Sequence, residues 1–263
     1  MNRTRIAVPI LLLFAAGLAV AVWMFAHGGA RDAGLVATDR APLPPFHALD
    51  VSGVADITLV QGGAEGVTVE MPARERRRLR VRVDHGVLHV GYATSRSWWD
   101  RLAGAPARTP KLRIDFRTLN MVDASGGLKL VADRVTTDRL ALHVSGAATL
   151  KIDALETQQL TVEGSGAVKA ELAGHATRQS IRISGAGDYR AADLASEQAQ
   201  VEVSGAGRVV VNATHTLDVS LSGAGSVEYV GDPKVTHEVS GVGRVKRRQS
   251  NVPRDTAIAA AHR

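Results

Sequence analysis

Residues 181–190 read Ile-Arg-Ile-Ser-Gly-Ala-Gly-Asp-Tyr-Arg, residues 201–210 read Val-Glu-Val-Ser-Gly-Ala-Gly-Arg-Val-Val, and residues 219–228 read Val-Ser-Leu-Ser-Gly-Ala-Gly-Ser-Val-Glu. In each, apolar residues alternate with polar ones up to a Ser-Gly-x-Gly corner, and the alternation resumes beyond it. Period two marks a strand with one buried face. Glycine at the corner reaches backbone conformations closed to other residues. The pattern recurs about six times between Leu140 and Arg248.

Aligned on the corner, the glycines fall at Gly126, Gly146, Gly164, Gly185, Gly205, Gly223 and Gly241. Their spacing is nearly constant along the chain. Columns then form. Val144, Val162, Ile183, Val203, Leu221 and Val239 precede the corner. Two residues earlier stand Leu142, Leu160, Ile181, Val201, Val219 and, breaking the pattern, His237. A unit of about 19 residues cannot bury its own apolar face, whereas stacked copies can. The alignment therefore predicts an all-β fold, a single-chain parallel β-solenoid (β-helix) whose like residues stack roughly 4.8 Å apart. It sets Arg182 beside Glu202, and it makes a hydroxyl ladder of Ser145, Ser184, Ser204, Ser222 and Ser240 with Glu163 substituting in one coil. No proline lies between Pro110 and Pro233, as uninterrupted pairing requires. The competing arrangement is a sandwich or propeller of antiparallel hairpins with Ser-Gly-Ala-Gly as the loop. Hairpins do not reward identical residues at identical places; stacking does.

Outward from the repeat, residues 46–246 read as one solenoid domain, interrupted by a loop insertion at 94–110. Before it, residues 1–27 hold a basic head (Arg3, Arg5) and an uncharged apolar run from Ile6 to Ala26, with Trp23 near its end. That run is long enough to span a bilayer as a helix, and the positive-inside tendency would export the domain beyond it. Two fates are open: a retained anchor in the cytoplasmic membrane, or a signal cleaved near the small residues 26–30, which would leave a secreted or periplasmic protein. Residues 28–45 read as a polar linker ending in Pro42, Pro44 and Pro45. Residues 247–263 lack periodicity and read as a disordered basic tail. The chain has no cysteine, which excludes disulfides and a lipid-anchored cysteine.

These residues resemble a known family. Phe46–Gly62 looks like its opening strand pair, Leu79–Val90 like its next hairpin, and the Ser-Gly-x-Gly array from Ser125 to Gly243 like its repeating body. The family is the bacterial GIN-type domain, described as the head of an auto-transporter adhesin. The resemblance implies a β-solenoid on a secreted or envelope protein, and it implies no catalytic residues. The stretch 244–263 beyond Gly243 is too short for an auto-transporter barrel, so none is expected there.

Chemistry is sparse. The net charge is +6, but the segment 1–30 contributes +2 and the segment 244–263 contributes +5. The body is thus close to neutral, and nucleic acid is not an expected partner. Six arginines between Arg74 and Arg82, with the basic tail, either touch anionic lipid or polymer or are simply solvated charge. No nucleophile elbow exists; Glu163-Gly164-Ser165-Gly166 reads as a repeat corner whose serine takes the place of Ala186, Ala206 and Ala224. Histidines lack metal-ligand spacing, so no metal, cofactor or catalytic residue is expected. Polysaccharide cleavage would need stacked carboxylates, and Asp188 reads as lying between Ala167 and Arg208. Trp98 and Trp99 are the candidate binding residues, either stacking on sugar rings or capping the open solenoid end. The expected function is a non-catalytic, adhesin-like module in the cell envelope that binds a glycan or protein. The alternatives are an exported polysaccharide-active enzyme or a structural spacer.

Overall fold

The computed structural model describes residues 36–72, 76, 78–92 and 109–248. The apolar run at 6–26, residues 28–35 of the linker, Trp98 and Trp99, and the tail from 249 lie outside the described residues. Among those described, no helix is long and apolar enough to cross a membrane.

The body is a continuous stack of parallel strands: β7 (Met121–Val144), β8 (Ala147–Gly164), β9 (Ala167–Ile183), β10 (Ala186–Val203), β11 (Ala206–Val230) and β12 (Lys234–Arg247). Each pairs in parallel with the next, giving about six turns of a β-solenoid. Parallel stacking wins over hairpins because the inward files match. Leu142, Val162, Ile181, Val201 and Val219 lie in one register and are all buried.

One coil is out of step with the sequence alignment. Gly164 pairs with Val144 and Ile183, so it sits in the apolar file, and the corner glycine of that coil is Gly166. The glycine file is Gly53, Gly126, Gly146, Gly166, Gly185, Gly205, Gly223 and Gly241. A Cβ on any member from Gly126 onward would fall against the carbonyl oxygen of the member before it, so close backbone approach requires glycine in every coil. The hydroxyl file moves accordingly. Ser165, not Glu163, lies between Ser145 and Ser184, and it does not occupy the alanine column.

Volume exchange across the corner explains the misalignment. In two coils the residue before the Ser-Gly corner and the residue four positions later share the same interior space. A Cβ on Gly164 would lie 2.7 Å from Val168 Cγ2, and a Cβ on Gly187 would lie 2.8 Å from Ile183 Cδ1. One coil places the large residue first (Ile183/Gly187), and one places it second (Gly164/Val168), whereas a Cβ on Gly207 or Gly225 would meet the backbone of the glycine one coil before. A core at crystal-like density admits one large residue per site, in either place.

The corner opposite holds a buried polar network. Tyr189 Oη donates to Gln179 Oε1 (3.2 Å), while Gln179 Nε2 donates to Ser196 Oγ (2.7 Å) and to the Asn212 carbonyl (3.3 Å). Ser196 Oγ also donates to that carbonyl (2.5 Å). Gln179 and Ser196 are each 2 % exposed, so each polar atom needs such a partner. Burial pushes the Tyr189 phenol well above its ordinary range, keeping it a neutral donor.

The N-terminal end is covered. β2 (Ala48–Gln61) forms the first coil against β7. On its far edge, β5 (Val87–Tyr92) and β6 (Lys111–Phe116) pair in parallel with its two halves. Each carries an antiparallel partner, β4 (Leu79–Asp84) on β5 and β3 (Gly66–Pro72) on β6. β1 (Val36–Pro42) adds to β3, so part of the segment expected to be linker is sheet. Among the described residues, nothing covers the far end. β12 is exposed along nearly its whole length, with Val242 83 % and Val239 38 % exposed. His237 interrupts the apolar file there, a polar terminal repeat of the kind that keeps solenoid ends soluble.

Candidate functional site

Two outward files flank the corner and run along the solenoid axis. One is the serine file, which begins with Ser52 over Ser125 and continues through Ser145, Ser165, Ser184 and Ser204. Two residues before each serine stands the second file: Asp123, His143, Glu163, Arg182 and Glu202. Asp50 lies beside Asp123 in this file, and His89 beside Asp50. Strand alternation places both files outward with one apolar residue between them pointing inward.

Between them lies an open groove of about 760 Å³ lined by both files. Its charged side chains pair in sequence along the axis. His89 Nδ1 is 2.8 Å from Asp50 Oδ2, and His143 Nδ1 is 3.3 Å from Asp123 Oδ1. Arg182 bridges Glu163 (3.1 Å) and Glu202 (3.4 Å), which realises the predicted Arg182–Glu202 neighbour and adds a second partner. All these side chains are 31–54 % exposed, so each pair contributes little to stability. Most serine hydroxyls face solvent; Ser145 Oγ and Ser184 Oγ reach backbone carbonyls only at 3.5 Å. The groove therefore offers carboxylates, imidazoles, one guanidinium and a row of hydroxyls, repeated every ~4.8 Å.

The next face carries a second ladder. Lys151 pairs with Asp153 (2.9 Å), and Arg190 with Asp188 (2.7 Å) and Glu171 (3.2 Å). The Asp153 carboxylate raises the Lys151 ammonium, and the Asp188 carboxylate raises the Arg190 guanidinium, each first through its hydrogen bond. Asp188 lies between Lys169 and Arg208 rather than beside Ala167. Among the described residues, no group of three His, Cys, Asp or Glu could hold a metal ion.

Of the residues singled out from sequence, the corner glycines except Gly164 form one file, while Trp98 and Trp99 lie outside the described residues. The groove escapes an alignment keyed on glycine. Such an alignment takes Glu163 for a serine equivalent, which splits the charged file between His143 and Arg182. The signal that finds the groove is the position of Ser165, almost midway between Ser145 and Ser184, which fits the repeat better than Gly164 does.

Comparison with known proteins places this geometry. The family described as "Putative auto-transporter adhesin, head GIN domain" matches residues 45–233. No curated protein matches the chain. A solved "putative adhesin" from Bacteroides fragilis is 24 % identical with a TM-score of 0.74, covering 81 % of this chain and 97 % of its own. One from Parabacteroides distasonis is 21 % identical with a TM-score of 0.62, covering 82 % and 98 %. A "putative lipid binding protein" from Parabacteroides distasonis is 17 % identical with a TM-score of 0.63, over the same shares of 82 % and 98 %. At these identities the likeness is one of fold.

Proposed function

The chain belongs to the auto-transporter adhesin head GIN-domain family, and from that premise we propose that it is a non-catalytic adhesion module of the cell envelope. Its ligand is an extended glycan lying along the serine groove. The observation that carries this reading is the pair of outward files running side by side over five consecutive coils. A linear polymer laid along the axis meets the same donors and acceptors at each coil. Carboxylates, guanidinium and hydroxyls are the groups that satisfy sugar hydroxyls through paired hydrogen bonds.

Charge narrows the class. The groove holds four carboxylates (Asp50, Asp123, Glu163, Glu202) against a single guanidinium, Arg182. Such a surface disfavours uronic-acid and phosphate polymers and favours neutral or amine-bearing sugars. The apolar run at 6–26 supports export with retention at the membrane.

The test is a titration of the full chain, in neutral detergent, with chitosan oligosaccharides, cello-oligosaccharides and polygalacturonate. Binding of a neutral or amino-sugar chain, weakened about tenfold or more in E163Q/E202Q at unchanged melting temperature, supports the reading. Binding confined to polygalacturonate, or unaffected by the substitutions, refutes it. Release of shortened oligosaccharides on prolonged incubation would instead favour a polysaccharide-active enzyme, for which the adjacent Asp50 and Asp123 are the residues to replace.

A further inference from the structure

We propose that the β12 end of the solenoid carries a phosphate clamp made by Arg208, Ser226 and Arg244, separate from the serine groove. These three residues occupy one outward file. Asp188 pairs with Arg208, Gly225 stacks on Gly207 to bring Ser226 beside Arg208, and Ser226 pairs with Arg244. At ~4.8 Å per coil the two arginines start about 10 Å apart, with a short hydroxyl side chain between them. That gap admits one tetrahedral oxyanion, reached from both sides by guanidinium groups and from below by the serine. The file borders an open groove of about 650 Å³ lined by Gly207, Gly225, Gly243 and the exposed Val242.

Neighbouring charges isolate the pair. Lys169 is engaged by Glu171 (3.6 Å), Lys246 by Glu228 (3.1 Å) and Arg247 by Asp232 (3.1 Å). Asp188, the one carboxylate lining this groove, accepts from Arg190 on both oxygens, at 3.2 and 2.7 Å. Among the described residues, neither Arg208 nor Arg244 has an ion-pair or hydrogen-bond partner, so both guanidinium forks are available to a ligand. A carboxylate is satisfied by one fork; two forks and a hydroxyl match the three or four oxygens of a phosphate. The phosphate belongs to a soluble phosphate-bearing polymer or to a phospholipid headgroup, and the chemistry of the clamp is the same for both.

The full chain in neutral detergent is titrated with fluorescently labelled short-chain polyphosphate. The expected result is binding that falls about tenfold in R208Q/R244Q and several-fold in S226A, but less than about twofold in R134Q/R178Q, which removes the same charge elsewhere. Competition by phosphatidylglycerol mixed micelles, and not by phosphatidylcholine ones, assigns the natural phosphate to a lipid; absence of that competition assigns it to a soluble polymer. The clamp is overturned if wild type does not bind polyphosphate or if R208Q/R244Q matches the charge control. It is also overturned if polygalacturonate binds as tightly. None of these outcomes touches the serine groove, whose variants leave this file intact.

Discussion

Exchanging the two residues that share the interior of the third coil tests the volume argument directly. In Gly164→Val, the new Cβ lies 2.7 Å from Val168 Cγ2, and valine is too stiff to step aside. Overpacking of this size costs about 1–3 kcal/mol. Gly164 has no positive φ, so the cost is steric rather than conformational. In Val168→Gly, three buried carbons are lost at roughly 0.8 kcal/mol each, to which a cavity and an interior strand glycine add, for a total near 3–4 kcal/mol. Val168 is 5 % exposed, so little of that loss is softened by solvent. The double variant recreates the arrangement of Ile183 and Gly187, with its new valine stacked between Val144 and Ile183. It should return to within about 1 kcal/mol of wild type, giving a coupling energy of about 3 kcal/mol or more, at the upper end for residues in contact. For a chain of this size 1 kcal/mol shifts the melting temperature by about 2–4 °C. Val168→Gly should therefore melt about 7–14 °C lower, and the double variant within about 4 °C of wild type, by circular dichroism of the full chain. Additive losses, or a double variant worse than either single one, would refute the reasoning.

Other outcomes follow from the same geometry. Gly185→Ala drives its methyl group onto the Gly166 carbonyl and should cost several kcal/mol or prevent folding, whereas Gly62→Ala, with open space around it, should stay within about 0.5 kcal/mol by thermal melting. Tyr189→Phe leaves Gln179 Oε1 without its buried donor and should cost about 1–3 kcal/mol in urea unfolding at neutral pH. The same variant should change the alkaline limb. Because burial holds the folded phenol above its unfolded value near 10, wild-type stability is intact below that pH and falls by up to about 1.4 kcal/mol per pH unit above it, a slope Tyr189→Phe should lack. Glu163→Gln removes an exposed partner of Arg182 and should change stability by less than about 1 kcal/mol, so any larger loss of glycan capture reports on the groove.

What the sequence makes legible is what repeats. Ile181, Val201 and Val219 alternate with polar residues at fixed distance from Ser-Gly, and that is enough for parallel stacking, coil length and the Arg182–Glu202 pair. Legibility fails where an energetic requirement can be met in two orders. Val168 fills from one side of the corner the space that Ile183 fills from the other, so the glycine migrates from after the serine to before it. An alignment keyed on glycine then slips by two residues, an even number, which keeps inward residues inward and conceals the slip. The serine file, fixed by exposure rather than by packing, keeps its register and is the better key. Gln179 and Ser196 are unreadable for another reason. A polar residue in an apolar file reads as a loop, and only the folded chain brings Tyr189 and the Asn212 carbonyl to satisfy it.

The slip also hides the candidate site, and this connects the fold to what it can bind. In a solenoid the inward files carry stability, and backbone pairing carries the stacking, so outward side chains are released from both tasks. Glu163, Arg182 and Glu202 are about half exposed and add little to folding, yet stacking fixes each of them to one coil spacing from the next. Arg208 and Arg244 are held in the same way by their register in the stack. Substituting an outward file therefore changes the ligand without changing the coil, while substituting a corner glycine changes the coil whatever the ligand. Variants that confound the two effects, with outward charge changes lowering the melting temperature by more than a few degrees, would show that recognition and folding are not separable here.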